Sequence, residues 1–196
     1  MNKWFLATLL TVFFLAGCGG GGDINIAPVT TDNSNTEIEQ APVAVANPCA
    51  SYENSGGQTI QGVADGANCT YSASFLDAGN PLTVDMTIPA LPNAGAHLFS
   101  GSVFVGRNYD NDADLAAAGI TEGGDGPTLT VEAGAKVAFA TSSDFMIINR
   151  GSTLFAVGSL SAPITFTSVS DVNGTVGPED VQQWGCLLYT SDAADE

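Results

Sequence analysis

Asp110-Asn-Asp112-Ala-Asp114 places three carboxylates on alternate residues, the oxygen spacing with which a calcium loop begins. An EF-hand would continue with Gly at its sixth position and Glu at its twelfth, and those positions hold Leu115 and Thr121. That loop is excluded. A looser calcium site, in which Asp110, Asp112 and Asp114 act with Glu122 or Asp125, stands beside the plainer and preferred reading of a solvated acidic loop. His97 is the single histidine of the chain, and histidine is the usual general base near neutral pH. It directly precedes a strand-like segment and has no partner in sequence, which suits a structural or surface residue better than a base. Arg107, Lys136 and Arg150 are scattered, although Lys136 and Arg150 could project from neighbouring turns of the chain. Neither a Ser-His-Asp order nor a zinc motif is present. The glycines at 19–22 and 123–124 lack the strand–helix setting and the lysine of a nucleotide loop. Tyr109 and Trp184 could stack on sugars, and Trp184 reads first as a packed aromatic. No catalytic residue and no cofactor beyond calcium follow from these positions.

The first eighteen residues carry a different chemistry. Lys3 supplies a positive charge, residues 4–14 form an almost unbroken apolar run, and Leu15-Ala16-Gly17-Cys18 closes the segment with small residues and a thiol. A charged start, a short apolar stretch and a small-residue cleavage site make a secretory signal rather than a membrane span. Leu-Ala-Gly-Cys resembles the bacterial lipobox, which implies that the thiol of Cys18 is diacylated and that cleavage before it frees an amine for a further acyl chain. An ordinary signal peptide with a chance cysteine is the alternative. By resemblance to sorted lipoproteins, Gly19 in place of the aspartate that retains them at the inner membrane points to the outer membrane. The periplasmic and the cell-surface face both stay open.

At the other end, Cys186-Leu-Leu-Tyr-Thr-Ser-Asp-Ala-Ala-Asp195 resembles a translated sequencing adapter, so residues 186–196 are expected to be a non-native tail and the natural protein to be longer. With Cys186 set aside and Cys18 lipidated, Cys49 and Cys69 remain as a pair. In an exported protein a disulfide is the default. Two cysteines without a neighbouring histidine would leave a metal under-coordinated.

The chain carries four basic and twenty-one acidic residues, a net charge of −17. Setting aside Lys3, Asp192, Asp195 and Glu196 leaves −15. Such a charge repels phosphate backbones and excludes nucleic acid as a partner. It also offers no basic patch for anionic lipid, so membrane attachment rests on the acyl chains.

The elements that must position these residues read as β. From 18 to 48 the chain is rich in Gly, Asn, Thr and Pro and is expected to be a flexible tether. Residues 49–96 hold the cysteine pair among short strand-like pieces at 59–60 and 82–88, where Leu82, Val84, Met86 and Ile88 alternate. A second strand is expected over 98–105, ended by Gly106. Leu129-Thr-Val131-Glu-Ala-Gly134-Ala-Lys-Val137-Ala-Phe139 is two stubs around a glycine corner, and seventeen residues later Met146, Ile148, Gly151, Leu154 and Ala156 repeat it. Ile164-Thr-Phe166 adds a third stub. Short strands, glycine corners and a coil of about twenty residues describe a parallel β-helix. On that reading Val131 stacks on Ile148 and Val137 on Leu154, about 4.8 Å apart, with Thr130 facing out. A β-sandwich would give similar stubs.

Pro48-Cys49-Ala-Ser-Tyr52, Gly123-Gly-Asp-Gly-Pro-Thr-Leu-Thr-Val131, Ile148-Asn-Arg-Gly-Ser152, Ala162-Pro-Ile-Thr-Phe-Thr-Ser168 and Gln183-Trp-Gly185 resemble a family of proteobacterial right-handed parallel β-helix lipoproteins. The resemblance covers most of residues 48–185 and implies an all-β fold with further coils downstream. The expected organisation is a signal segment (1–17), a lipidated Cys18 with its tether (18–48), a disulfide-stapled β cap (49–96), the first coils (97–185) and the non-native tail (186–196). The expected function is that of an outer-membrane, lipid-anchored adhesion or glycan-binding protein, its partners extracellular polysaccharide or another surface protein. A polysaccharide lyase or hydrolase with its catalytic groove after Gly185 is the alternative.

Overall fold

The computed structural model describes residues 46–120 and 125–190. The signal segment, Cys18, nearly all of the tether, Glu122 and the tail beyond residue 190 lie outside them. Thirteen short strands follow in order among the described residues. The first four are β1 (Ser51–Glu53), β2 (Thr59–Gln61), β3 (Val63–Asp65) and β4 (Asn68–Tyr71). Then come β5 (Met86–Ile88), β6 (His97–Phe99), β7 (Val103–Val105) and the one-and-a-half-turn helix α1 (Asp112–Ala117). The series continues through β8 (Thr128–Val131), β9 (Lys136–Phe139), β10 (Phe145–Ile148) and β11 (Thr153–Ala156). It closes with β12 (Thr165–Ser168), the short helix α2 (Val169–Val172) and β13 (Cys186–Tyr189). Among the described residues the fold is all-β in class, with parallel and antiparallel pairing, two brief α-helices and a single 3-10 turn at Pro92–Ala94.

From β5 onward every third strand joins the same sheet. The three sheets run β5-β8-β11, β6-β9-β12 and β7-β10-β13, all parallel, and the second is extended through β4 to β3. Antiparallel pairing is confined to β1-β2 and β3-β4 at the start. Strand β8 shows why these residues settle so: in Thr-Leu-Thr-Val the apolar Leu129 and Val131 are buried while Thr128 and Thr130 are half-exposed. Period-two alternation lets one face enter the core as the other meets solvent.

The rungs differ from the seventeen-residue match. Leu129 pairs with Met86 and Leu154, and Val131 with Ile88 and Ala156. Ile148 pairs with Val105 and Tyr189, not with Val131. Val137 lies between His97 and Phe166, not on Leu154. Stub–glycine–stub is the signature of a bend, and Gly134 and Gly151 form two different bends of one circuit, with φ of 88° and 75°. The match therefore compared corners instead of turns. Two further expectations shift for a related reason. Residues 98–105 break at Ser100–Ser102 into β6 and β7, which belong to different sheets. Only Met86–Ile88 of the 82–88 stretch is a strand, and Leu82 makes a single bridge to Val105.

Cys49 and Cys69 are joined, with Cα atoms 5.4 Å apart. Closing that loop contributes about 3 kcal/mol by the chain-entropy estimate. The bond ties the chain before β1 to β4. Residues 186–189, expected to be a non-native tail, run parallel to β10 as β13. Backbone pairing to an open edge asks only for β-compatible residues, and Leu187, Leu188 and Tyr189 remain 37–61% exposed.

Candidate functional site

His97 lies in the core and is fully buried. Its Nε2 is 2.8 Å from the Pro89 carbonyl oxygen, which can only accept, so Nε2 carries the proton. Nδ1 is then an acceptor, 2.7 Å from the Tyr71 hydroxyl that donates to it. The Tyr71 oxygen in turn accepts from the Ala50 N–H at 2.9 Å. Burial lowers the His97 pKa, against the smaller raising effect of the Pro89 bond. Burial also pushes the Tyr71 phenol well above the ordinary tyrosine range, offset slightly by the Ala50 N–H. An imidazole with both nitrogens bonded inside the core ties β6 to β4 and to the chain after β5.

The acidic triplet is divided between tasks. Asn111 caps α1, its Oδ1 accepting from the Asp114 N–H at 3.0 Å while its Nδ2 donates to Asp114 Oδ2 at 2.8 Å. Asp112 forms an ion pair with the Arg150 guanidinium, joining α1 to the bend after β10. Asp110 is exposed. Among the described residues no three His, Cys, Asp or Glu side chains gather to hold a metal ion. No described helix is long and apolar enough to cross a membrane.

Trp184 belongs to an aromatic stack. Tyr71, Phe99 and Phe139 occupy consecutive rungs of β4, β6 and β9, with centroids 4.3 Å and 5.8 Å apart. The next rung is Ser168, whose small side chain leaves room for Trp184 to lie 5.3 Å above Phe139 and nearly parallel to it. Beside it, residues of the excursion from α2 to β13 enclose a cleft of about 350 Å³ that Asp171, Asp180, Gln182 and Gln183 line. Asp171 Oδ2 accepts from the Thr167 hydroxyl at 2.6 Å and Asp180 Oδ2 from the Gly177 N–H at 2.7 Å.

Another concavity lies on the outer face of the first sheet. A groove of about 600 Å³ runs between the chain at Cys49–Ser51 and strands β5 and β8, over Asp85, Thr87, Thr128 and Thr130. Asp85 Oδ1 accepts the Thr128 N–H at 2.8 Å, so this carboxylate is held in place by the strand it faces. The groove can exchange hydrogen bonds with a hydroxylated ligand, and none of its lining residues is basic. Of Asp85, Thr87, Thr128 and Thr130, sequence reasoning singled out only Thr130, as outward-facing. The alternation in Thr128-Leu-Thr130 announces the hydroxyl pair, but Asp85 and Thr87 join it through a pairing 43 residues away. No protein-family model, no curated protein and no solved structure matches this chain.

Proposed function

We propose that this chain is an exported, lipid-anchored and non-catalytic protein of the bacterial outer membrane, a right-handed parallel β-helix that binds extracellular polysaccharide. The return of every third strand to the same parallel sheet from β5 to β13 supports the β-helix reading. The lipobox-like Leu15-Ala16-Gly17-Cys18 supports export and anchoring at Cys18. The observation that carries polysaccharide binding is the groove over Asp85, Thr87, Thr128 and Thr130, which offers hydroxyls and one carboxylate and is open to solvent. The burial of His97 between Tyr71 and Pro89 supports a non-catalytic role.

A polysaccharide hydrolase or lyase is the second reading. Asp171 and Asp180 line one cleft beside Trp184, and paired carboxylates are the usual machinery of glycoside hydrolysis. Co-sedimentation of the full chain with insoluble polysaccharides, followed by assay of new reducing ends and unsaturated uronates, separates the two. Binding without product release is expected. Release that disappears in Asp171→Asn or Asp180→Asn would install the enzyme reading instead. For the anchor, palmitate should label the wild type and not Cys18→Ser, and equal labelling of both defeats it.

A further inference from the structure

The outward rows of the first parallel sheet continue past the groove. Register places Thr87 of β5 beside Thr130 of β8, and Thr130 beside Phe155 of β11. Met86 and Ile88 beside Thr87, and Leu129 and Val131 beside Thr130, are buried, so alternation turns these two outward, and register sets the exposed Phe155 in the same row. Successive rungs are about 4.8 Å apart, which sets an aromatic ring one rung from Thr130 and two from Thr87. Phe155 is 56% exposed, an aromatic ring in line with two hydroxyls. Asp85 stands on the same outer face one row along, with one carboxylate oxygen committed to the Thr128 N–H.

This combination has a definite chemical complement. A pyranose presents a flat C–H face, which packs on an aromatic ring, and a rim of hydroxyls, which donate to carboxylates and exchange hydrogen bonds with threonine. Charge narrows the class further. The chain has only four basic residues and a net charge of −17, and no basic side chain lines the groove. An anionic polymer would lose its hydration and meet repulsion without a compensating cation.

We propose that the outer face of β5, β8 and β11 is a subsite for a neutral saccharide chain, with a sugar ring on Phe155 and its hydroxyls bonded by Thr130, Thr87 and Asp85. This rests on the polysaccharide-binding reading and adds to it the location and the charge class of the ligand.

Affinity electrophoresis of the full chain tests it, in native gels cast with laminarin, galactomannan, polygalacturonate or glycol chitosan. Retardation by laminarin or galactomannan is expected. In Phe155→Ala and in Thr130→Val the apparent Kd should rise about tenfold, with melting temperatures unchanged because both side chains reach solvent. Retardation by a neutral polymer that neither variant alters overturns the subsite and leaves polysaccharide binding standing. Retardation confined to polygalacturonate or glycol chitosan overturns the neutral class. No retardation in any gel overturns the subsite together with the polysaccharide reading beneath it.

Discussion

His97 couples the core to pH in a way that a chain with a single histidine makes easy to isolate. Its folded pKa lies below the ordinary 6.5, so as pH falls the unfolded chain takes up the proton first. The stability contributed by the neutral imidazole is therefore complete above about pH 6.5 and lost progressively below it, by at most about 1.4 kcal/mol per pH unit. The window that tests this residue runs from about pH 6.5 down to 5, where the unfolded imidazole takes up its proton. Urea midpoints should fall across that window in the wild type. In His97→Gln the curve should be flat but displaced downward by about 1–3 kcal/mol, because Tyr71 or Pro89 loses its partner. A wild-type midpoint that does not move between pH 6.5 and 5 would refute the sealed neutral imidazole. Gly106 is a second residue-scale constraint. Its φ is 78°, and a Cβ there would collide with Ser152 Oγ, while Asn149 Nδ2 donates to its carbonyl at 2.7 Å. Gly106→Ala should destabilise by more than the roughly 1 kcal/mol that a permissive site would change.

Among the elements, the parallel rungs make inward and outward positions unequal in a testable way. Ile148 is fully buried between Val105 and Tyr189, so Ile148→Asp places an unpaired charge inside the stack and should prevent stable folding. Thr130→Asp, half-exposed in the groove, should cost less than about 1 kcal/mol. Equal tolerance of the two by thermal melting would contradict the alternation. The aromatic row contributes along the stacking direction. Phe139 lies between Phe99 and Trp184, and Phe139→Ala should cost about 3–5 kcal/mol through the cavity and the two lost ring contacts. Trp184 fluorescence offers an independent reading, since a ring released from Phe139 should shift its emission towards that of solvated indole. At the start of the fold, reducing Cys49–Cys69 should remove about 3 kcal/mol, detectable as a lower urea midpoint.

For the whole molecule, charge sets the solution behaviour. At −17 the compact state repels itself, and salt screens that repulsion within a Debye length of about 8 Å at physiological ionic strength. Raising monovalent salt from a few millimolar to about 0.15 M should therefore raise the melting temperature. A fall on adding salt would mean that favourable ion pairs, of which Arg150–Asp112 is the described example, outweigh the repulsion. The same charge should make binding to polygalacturonate weaker at low salt than at high salt.

The all-β class, the glycine corners at 134 and 151 and the outward Thr130 were legible in the amino-acid order, because alternation and bends depend on a few adjacent residues. The pairing of Cys49 with Cys69 was legible too, by elimination among few cysteines. The rungs were not. Leu129 meets Leu154 after 25 residues, but Val103 meets Met146 after 43, since the intervening segment 106–127 includes α1. Closing a longer loop costs little extra free energy, so segment lengths between strands vary freely and erase any fixed period. The tertiary structure alone decided which stubs stack, and with them the groove of Asp85, Thr87 and Thr130 and the burial of His97 against Tyr71. Those contacts join positions 26 to 45 residues apart, and only core packing across the sheets selects them over the equally apolar alternatives nearby.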